Sequence, residues 1–223
     1  MFVAANPARP VPGQPVARGL FVAVEGIDDS GKTTLTAGLA TRLRAQGLRV
    51  HTHTEPSHSP IGALFRHLST AAEACAAAMA LLSAADRHAQ QHSLDARLGS
   101  CDVLVCDRYY LSGLAYHAVD GIDPAFYQQL AVGVRKPDLY LYLDVEPATA
   151  ARRADGPPDG CWEEPSFAAG LPAAYARCLD LIVASEAATV VGLNANEPAP
   201  FVLDAATAAI TSFIVHTVER KSA

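Results

Sequence analysis

Gly26, Gly31, Lys32 and Thr33 stand in the spacing G-x-x-x-x-G-K-T, and this octet constrains the chain more than any other segment. The motif carries chemistry only between a buried strand and a helix. Leu20 to Glu25 is a short apolar run that reads as a strand buried on both faces. Thr33 to Gln46, with Leu35, Leu39 and Leu43 four apart, reads as an amphipathic helix stopped by Gly47. A glycine-rich turn with an incidental lysine would not need that order of strand, loop and helix. Glycines at 26 and 31 let backbone N–H groups turn inward around a β-phosphate, while the helix starting near Lys32 offers unpaired amides and the positive end of its dipole. Lys32 then bridges β- and γ-phosphates, and the Thr33 hydroxyl is a ligand for Mg2+. The ATP-binding set is Gly26, Asp29, Ser30, Gly31, Lys32, Thr33 and Thr34.

Beyond the loop, strand and helix patterns alternate. Leu48 to Thr54, Asp102 to Cys106, Leu139 to Asp144 and Thr189 to Leu193 read as further strands. Helical spacing covers Ile61 to Leu68, Glu73 to Leu98 (closed by Gly99), Tyr109 to His117, Pro124 to Val134, Phe167 to Ala184 with an interruption near Pro172, and about Phe201 to Val218. Such alternation implies right-handed crossovers and a parallel sheet with helices on both faces, an α/β fold. Residues 154 to 165 carry three prolines and two glycines between two helices, the composition of a mobile lid.

With 223 residues the default is one compact domain, residues 20–223, preceded by a proline-rich arm over 1–19 that lacks the apolar centre of a signal peptide. A net charge of -6 gives no footprint for wrapping a polynucleotide, and no stretch approaches the ~20 apolar residues of a membrane span. Cys75, Cys101, Cys106, Cys161 and Cys178 are odd in number with no C-x-x-C pair, which reads as reduced thiols of a cytoplasmic protein. His88 and His92 lie four apart on a helix, yet no convincing third metal ligand is near them in sequence. Trp162 reads either as a packing anchor or as a residue closing over a ligand.

Asp107 falls at the end of the third strand, where the C-terminal edge of an open sheet binds ligands. It can hold the metal's water shell, cap the helix that follows, or do both.

Phe21 to Thr34, Thr54-Glu55-Pro56, Pro60-Ile61-Gly62 with Arg66, Ala85-Asp86-Arg87, Asp107-Arg108-Tyr109 with Ala115-Tyr116, and Pro137-Asp138-Leu139 through Leu143-Asp144-Val145 resemble thymidylate kinase in order and spacing. The resemblance covers about residues 20 to 153 and is weaker beyond. It implies a P-loop NTPase fold with a five-stranded parallel sheet, a homodimer, and transfer of the ATP γ-phosphoryl group to a pyrimidine nucleoside monophosphate. An acceptor phosphate, with a second pKa near ~6, is already anionic at neutral pH, so positioning and cations can carry the chemistry. By the same resemblance Arg108 and Arg66 grip the acceptor phosphate, Asp28 lies near the sugar and that phosphate, and Glu55 lies near sugar and metal. Arg87 reads the base carbonyl, and Tyr116 crowds the 2′ position. Ser83, Ser112, Gly113 and His117 complete the acceptor set. Metal ligation falls to Thr33 and Asp107.

The chain departs from the family at two places. Ser83 stands where phenylalanine usually stacks on the base, an interaction worth about 1 to 3 kcal/mol. Gly113 replaces a serine or asparagine, and His117 replaces a glutamine. Either the acceptor is bulkier, modified or different, or another aromatic such as Phe65 moves in. The family also places an arginine in the loop or the lid; here the loop position is Asp29, and Ala154 to Glu164 contains no arginine. Arg152 and Arg153 remain, and Arg153 joins Lys32, Arg108 and Asp28 as the expected catalytic set. Two other functions fit the residues: a deoxynucleoside kinase using Glu55 or Asp107 as base toward a 5′-hydroxyl, and a nucleotide-binding regulatory protein without turnover.

Overall fold

Five parallel strands form the centre of the molecule, in the order β2-β3-β1-β4-β5. They are β1 (Leu20–Glu25), β2 (Val50–Thr54), β3 (Val103–Asp107), β4 (Leu139–Asp144) and β5 (Thr189–Asn194). The computed structural model describes residues 18–70, 75–154, 162, 164–185 and 189–222, with side chains as far as Val215.

Sequence character decides each strand's place. β1 and β3, continuous apolar runs, occupy the middle, and Phe21, Val22, Ala23, Val103, Leu104 and Val105 are fully buried. Each large apolar side chain sequestered there contributes about 1.5–3 kcal/mol. β2, which carries His51 and His53, and β5 lie at the two edges with partly exposed residues. Register is set by pairs such as Val22↔Val105 and Val22↔Leu139.

The crossovers are helical: α1 (Lys32–Ala45), α2 (Pro60–Ser69), α3 (Ala76–Ser100), α4 (Tyr110–Val119), α5 (Pro124–Leu130), α6 (Pro147–Arg153), α7 (Pro165–Ala168), α8 (Leu171–Ser185) and α9 (Ala199–Ser222). α2, α5, α6 and α7 each open on proline as their first residue, where its missing N–H costs nothing. Ser59 caps α2 through the Gly62 amide at 3.1 Å, and Asp123 caps α5 through Ala125 at 2.8 Å.

Several boundaries differ from the sequence expectation. β2 starts at Val50 because Gly47 (φ 88) and Leu48 close α1, with the Leu48 amide donating to Leu43. β3 shifts by one residue to include Asp107, since the Asp102 side chain is spent on Arg49. α3 runs through Gly99, where an added Cβ would meet nothing within 4 Å, and ends one residue later at Ser100. α5 ends at Leu130, followed by a turn through Gly133 (φ 82), rather than at Val134. The interruption near Pro172 lies just before it, and Pro172 itself sits in the first turn of α8. The arm read as ending at Gly19 is already anchored at Arg18, which pairs with Asp138, and at Gly19, whose amide donates to Leu98. Residues 1–17 and most of the expected lid, including Cys161, lie outside the described residues.

The stretch Pro165–Ser185 is apolar and long enough by composition to cross a membrane. It is broken between α7 and α8, and Leu171, Ala174, Tyr175, Cys178 and Ile182 of α8 are buried in the core.

Candidate active site

The charged groups that this fold buries gather at one place, the C-terminal edge of the central strands. Glu25, Lys32, Glu55, Asp86 and Arg87 are each at most 8% exposed. Burying charge is costly unless it is paired, so each of these groups must have a partner.

The loop after β1 folds as the motif requires. Gly26 has φ 149, and a Cβ there would lie 2.9 Å from the Leu143 carbonyl and from the Ser30 hydroxyl, so only glycine fits. Asp29 (φ 57) and Gly31 (φ 96) turn the chain through left-handed conformations into α1, whose N-terminus has no side-chain cap. Its first amides are left for an anion. The Lys32 ammonium donates to the Ile27 carbonyl and approaches the Ser30 hydroxyl at 3.4 Å. Burial pushes it down to about 7, and Arg108 adds to the push while Asp28 and Asp107 oppose it.

Asp107 ends β3 beside this loop, and Thr33 donates its hydroxyl to the Asp107 carboxylate at 2.6 Å. A hydroxyl and a carboxylate at the same point are the hard-oxygen donors that Mg2+ takes, one or two from protein and the rest from phosphate and water. The pair therefore fits a magnesium-bearing triphosphate. No cluster of three His, Cys, Asp or Glu suited to a metal, around His88 and His92 included, occurs among the described residues. His88 instead contacts the Leu130 carbonyl at 2.8 Å.

Arg108 follows Asp107 in a left-handed conformation (φ 61) that residues other than glycine rarely adopt. Its guanidinium is ion-paired to Asp28 and bonded to the Tyr116 hydroxyl at 3.2 Å, and Tyr116 donates to Asp28 at 2.6 Å. Burial alone would raise Asp28, but Arg108 and Lys32 hold it below the usual carboxylate range. Three expected site residues, Asp28, Arg108 and Tyr116, thus interlock beside the phosphate loop. Arg66, exposed on α2, donates to the carbonyls of Pro56 and Ser57 at 2.8 Å each.

A cavity of about 280 Å³ opens between Arg108 and Arg66 and reaches the base end of the site. Its floor is the buried pair Arg87–Glu55, with Nε and Nη2 of Arg87 donating at 2.9 and 2.5 Å to one carboxylate oxygen. Ser83 contacts the Tyr127 hydroxyl at 2.9 Å and His117 Nε2 at 3.0 Å. Phe65 and Trp162 line the other wall, their ring centroids 5.3 Å apart, and Trp162 is held by its indole N–H donating to Asp120 at 2.8 Å. Phe65 therefore faces the cavity, but it does not occupy the place beside Ser83, which Tyr127 fills.

Arg153 is not brought to this cluster. It donates to the Ala195 carbonyl at 2.9 Å, after β5, and neither it nor Arg152 lines the cavity.

Sequence reasoning gave no role to four residues that organise the site. Asp86 accepts from the Ser57 amide, the Ser57 hydroxyl and the Ser59 hydroxyl at 2.6–2.7 Å, which fixes the segment carrying Glu55. Glu25, fully buried, accepts from the amides of Tyr109 and Ser112 at 3.1 Å and from the Ser112 hydroxyl, anchoring the start of α4 directly after Arg108. Ser112 also meets the Tyr175 hydroxyl at 2.9 Å, which in turn donates to the Gly26 carbonyl. Ser112 thus ties α4 to the phosphate loop and also lines the cavity. The fourth is Tyr127. Glu25 did carry a signal: a charged residue closing an otherwise apolar buried strand.

A family model described as thymidylate kinase matches residues 24–160. The chain is 37% identical over 136 residues to a thymidylate kinase of Xanthomonas oryzae pv. oryzae, a stretch spanning 60% of each chain. It is 31% identical over 193 residues to a thymidylate kinase of Xylella fastidiosa, spanning 84% of this chain and 85% of that one. A thymidylate kinase structure from Candida albicans superposes with a TM-score of 0.69 at 22% identity, covering 92% of this chain and 93% of that one, which is a likeness of fold.

Proposed function

Because the chain belongs to the thymidylate kinase family, we propose that it transfers the γ-phosphoryl group of ATP to the phosphate of a pyrimidine deoxynucleoside monophosphate, dTMP or a close relative. A bond forms between an acceptor phosphate oxygen and the γ-phosphorus, the bond to the bridging oxygen breaks, and ADP leaves with a nucleoside diphosphate as the other product. The observation that carries the reading is the adjacency of two anion sites at one sheet edge: the 26–33 loop, and Arg108 in its lock with Asp28 and Tyr116.

Lys32 and the α1 amides hold the triphosphate, and Arg108 and Arg66 hold the acceptor phosphate in line with it. Thr33 and Asp107 would hold Mg2+, which, when bound, neutralises charge on the β- and γ-oxygens. Arg153 is assigned to the transferred group, a role that requires it to leave the Ala195 carbonyl, and unimpaired turnover in Arg153→Ala would remove it. The geometry disfavours phosphorylation of a 5′-hydroxyl, because Glu55 is committed to Arg87 and Asp107 is assigned with Thr33 to the metal, leaving neither as a free base. We further assign a homodimer pairing through the exposed Leu64 of α2 and Leu81 of α3, and a cytoplasmic setting that keeps Cys75 and the buried thiols reduced. Light scattering on the purified protein tests the dimer.

The function is tested by ADP release across nucleosides and deoxynucleoside monophosphates. Activity on dTMP but not thymidine, lost in Lys32→Ala, is expected. Turnover of the nucleoside, or ATP binding without turnover on any acceptor, would select one of the other two functions.

A further inference from the structure

The Tyr127 ring of α5 is 1% exposed and stands where the base end of the cavity closes. Its hydroxyl accepts from Arg87 Nη1 at 3.0 Å and lies 2.9 Å from the Ser83 hydroxyl. The His117 ring packs on it with centroids 5.1 Å apart. A Cβ at Gly113 would overlap the Tyr127 hydroxyl and fall 2.7 Å from Cζ, so glycine is required there. The three positions that looked like an altered base pocket, 83, 113 and 117, therefore all touch or make room for one phenol.

Arg87 has five N–H groups. Nε and one on Nη2 go to Glu55, the other on Nη2 goes to the Tyr109 carbonyl at 3.3 Å, and one on Nη1 goes to Tyr127. A single Nη1 N–H is left for a ligand. Tyr127, accepting from Arg87, donates its O–H to Ser83, whose own O–H is directed to the Ala80 carbonyl or to His117. Ser83 is thus satisfied within the protein.

We propose that Tyr127 is the specificity-determining positioning residue of the acceptor site: it fills the space left at positions 83 and 113 and turns the last free Arg87 N–H onto a base carbonyl. The site then takes a pyrimidine nucleotide of ordinary size with a carbonyl facing Arg87, thymine or uracil, rather than an enlarged base or cytosine. This rests on the kinase reading above.

The test compares Tyr127→Phe with the wild type on dTMP, dUMP, dCMP and a 5-substituted bulky dUMP. Loss of one hydrogen bond to a charged group should raise KM for dTMP about tenfold and narrow the dTMP-over-dCMP preference by a similar factor, with kcat and KM for ATP within about twofold. In parallel, Gly113→Ala should lower Tm in the native background and have little effect when added to Tyr127→Leu, because the overlap is then gone. An unchanged dTMP KM, a parallel rise in KM for ATP, good wild-type turnover of the bulky analogue, or an undiminished Gly113→Ala effect beside Tyr127→Leu would overturn the proposal. A wild-type enzyme inactive on every monophosphate would instead bring down the kinase reading, and this inference with it.

Discussion

Binding of ATP should draw a proton from solvent onto Lys32. In the folded chain the ammonium is 4% exposed and its affinity for a proton is pushed down to about 7, chiefly by burial. Triphosphate oxygens beside it reverse that balance and restore the ordinary value near 10.5 or higher. The sign follows: free protein releases the proton above pH 7, the complex keeps it, and affinity falls as pH rises from about 7 toward 10.5. With a free-state value of about 7, roughly half a proton is taken up at pH 7 and about 0.9 at pH 8. The association constant should drop about fivefold between those two conditions, or ~1 kcal/mol. Titration calorimetry with excess magnesium in buffers of widely different ionisation enthalpy measures this directly, since the slope of observed heat against buffer enthalpy is the number of protons exchanged. Lys32→Met should abolish the slope along with most of the affinity. Identical heats in all buffers at pH 8 would refute the reasoning and mean that Lys32 stays charged in the free protein.

Burial pushes Glu25 up to about 7, with Ser112 and Arg108 opposing. The native state then holds that proton more tightly than the unfolded chain, so stability should fall as pH rises from about 4.5 through 7, by up to ~3 kcal/mol; Tm compared at pH 5 and pH 8 should show a steeper loss in the wild type than in Glu25→Gln. Arg87→Met strands the buried Glu55 carboxylate and should cost about 3–5 kcal/mol in denaturant unfolding, part of it recovered by adding Glu55→Gln. Arg108→Met should cut turnover on dTMP far more than it weakens ATP binding, and equal losses in both would contradict its place on the acceptor side.

The strands were legible because a parallel sheet writes burial into unbroken apolar runs, and β1 and β4 have the bounds read from sequence. The phosphate loop was legible because its glycines answer to backbone angles that only they adopt at ease. The boundaries that moved depended on what a neighbour had already taken: Asp102 is claimed by Arg49, so the strand slides past it. The base end was the least legible part. Ser83, Gly113 and His117 looked like vacancies because the ring that explains them lies on a short helix, 44 residues beyond Ser83, and no periodicity links the two. Arg153 shows a different limit: residue type and helix leave the direction of a long side chain open. Being the right type of residue on the right helix says nothing about whether a carbonyl such as Ala195 holds it elsewhere.

In the proposed reaction, the lock of Arg108 with Asp28 gives the acceptor site a threshold. A guanidinium already satisfied by its own chain's carboxylate yields only to a stronger rival, and a phosphate dianion brings about twice the charge of the aspartate it must dislodge. A neutral sugar hydroxyl brings none. Discrimination between a nucleotide and its parent nucleoside is thereby made before any chemistry begins, as a contest between anions for one cation. The dislodged carboxylate is left beside Tyr116, against which the sugar must fit.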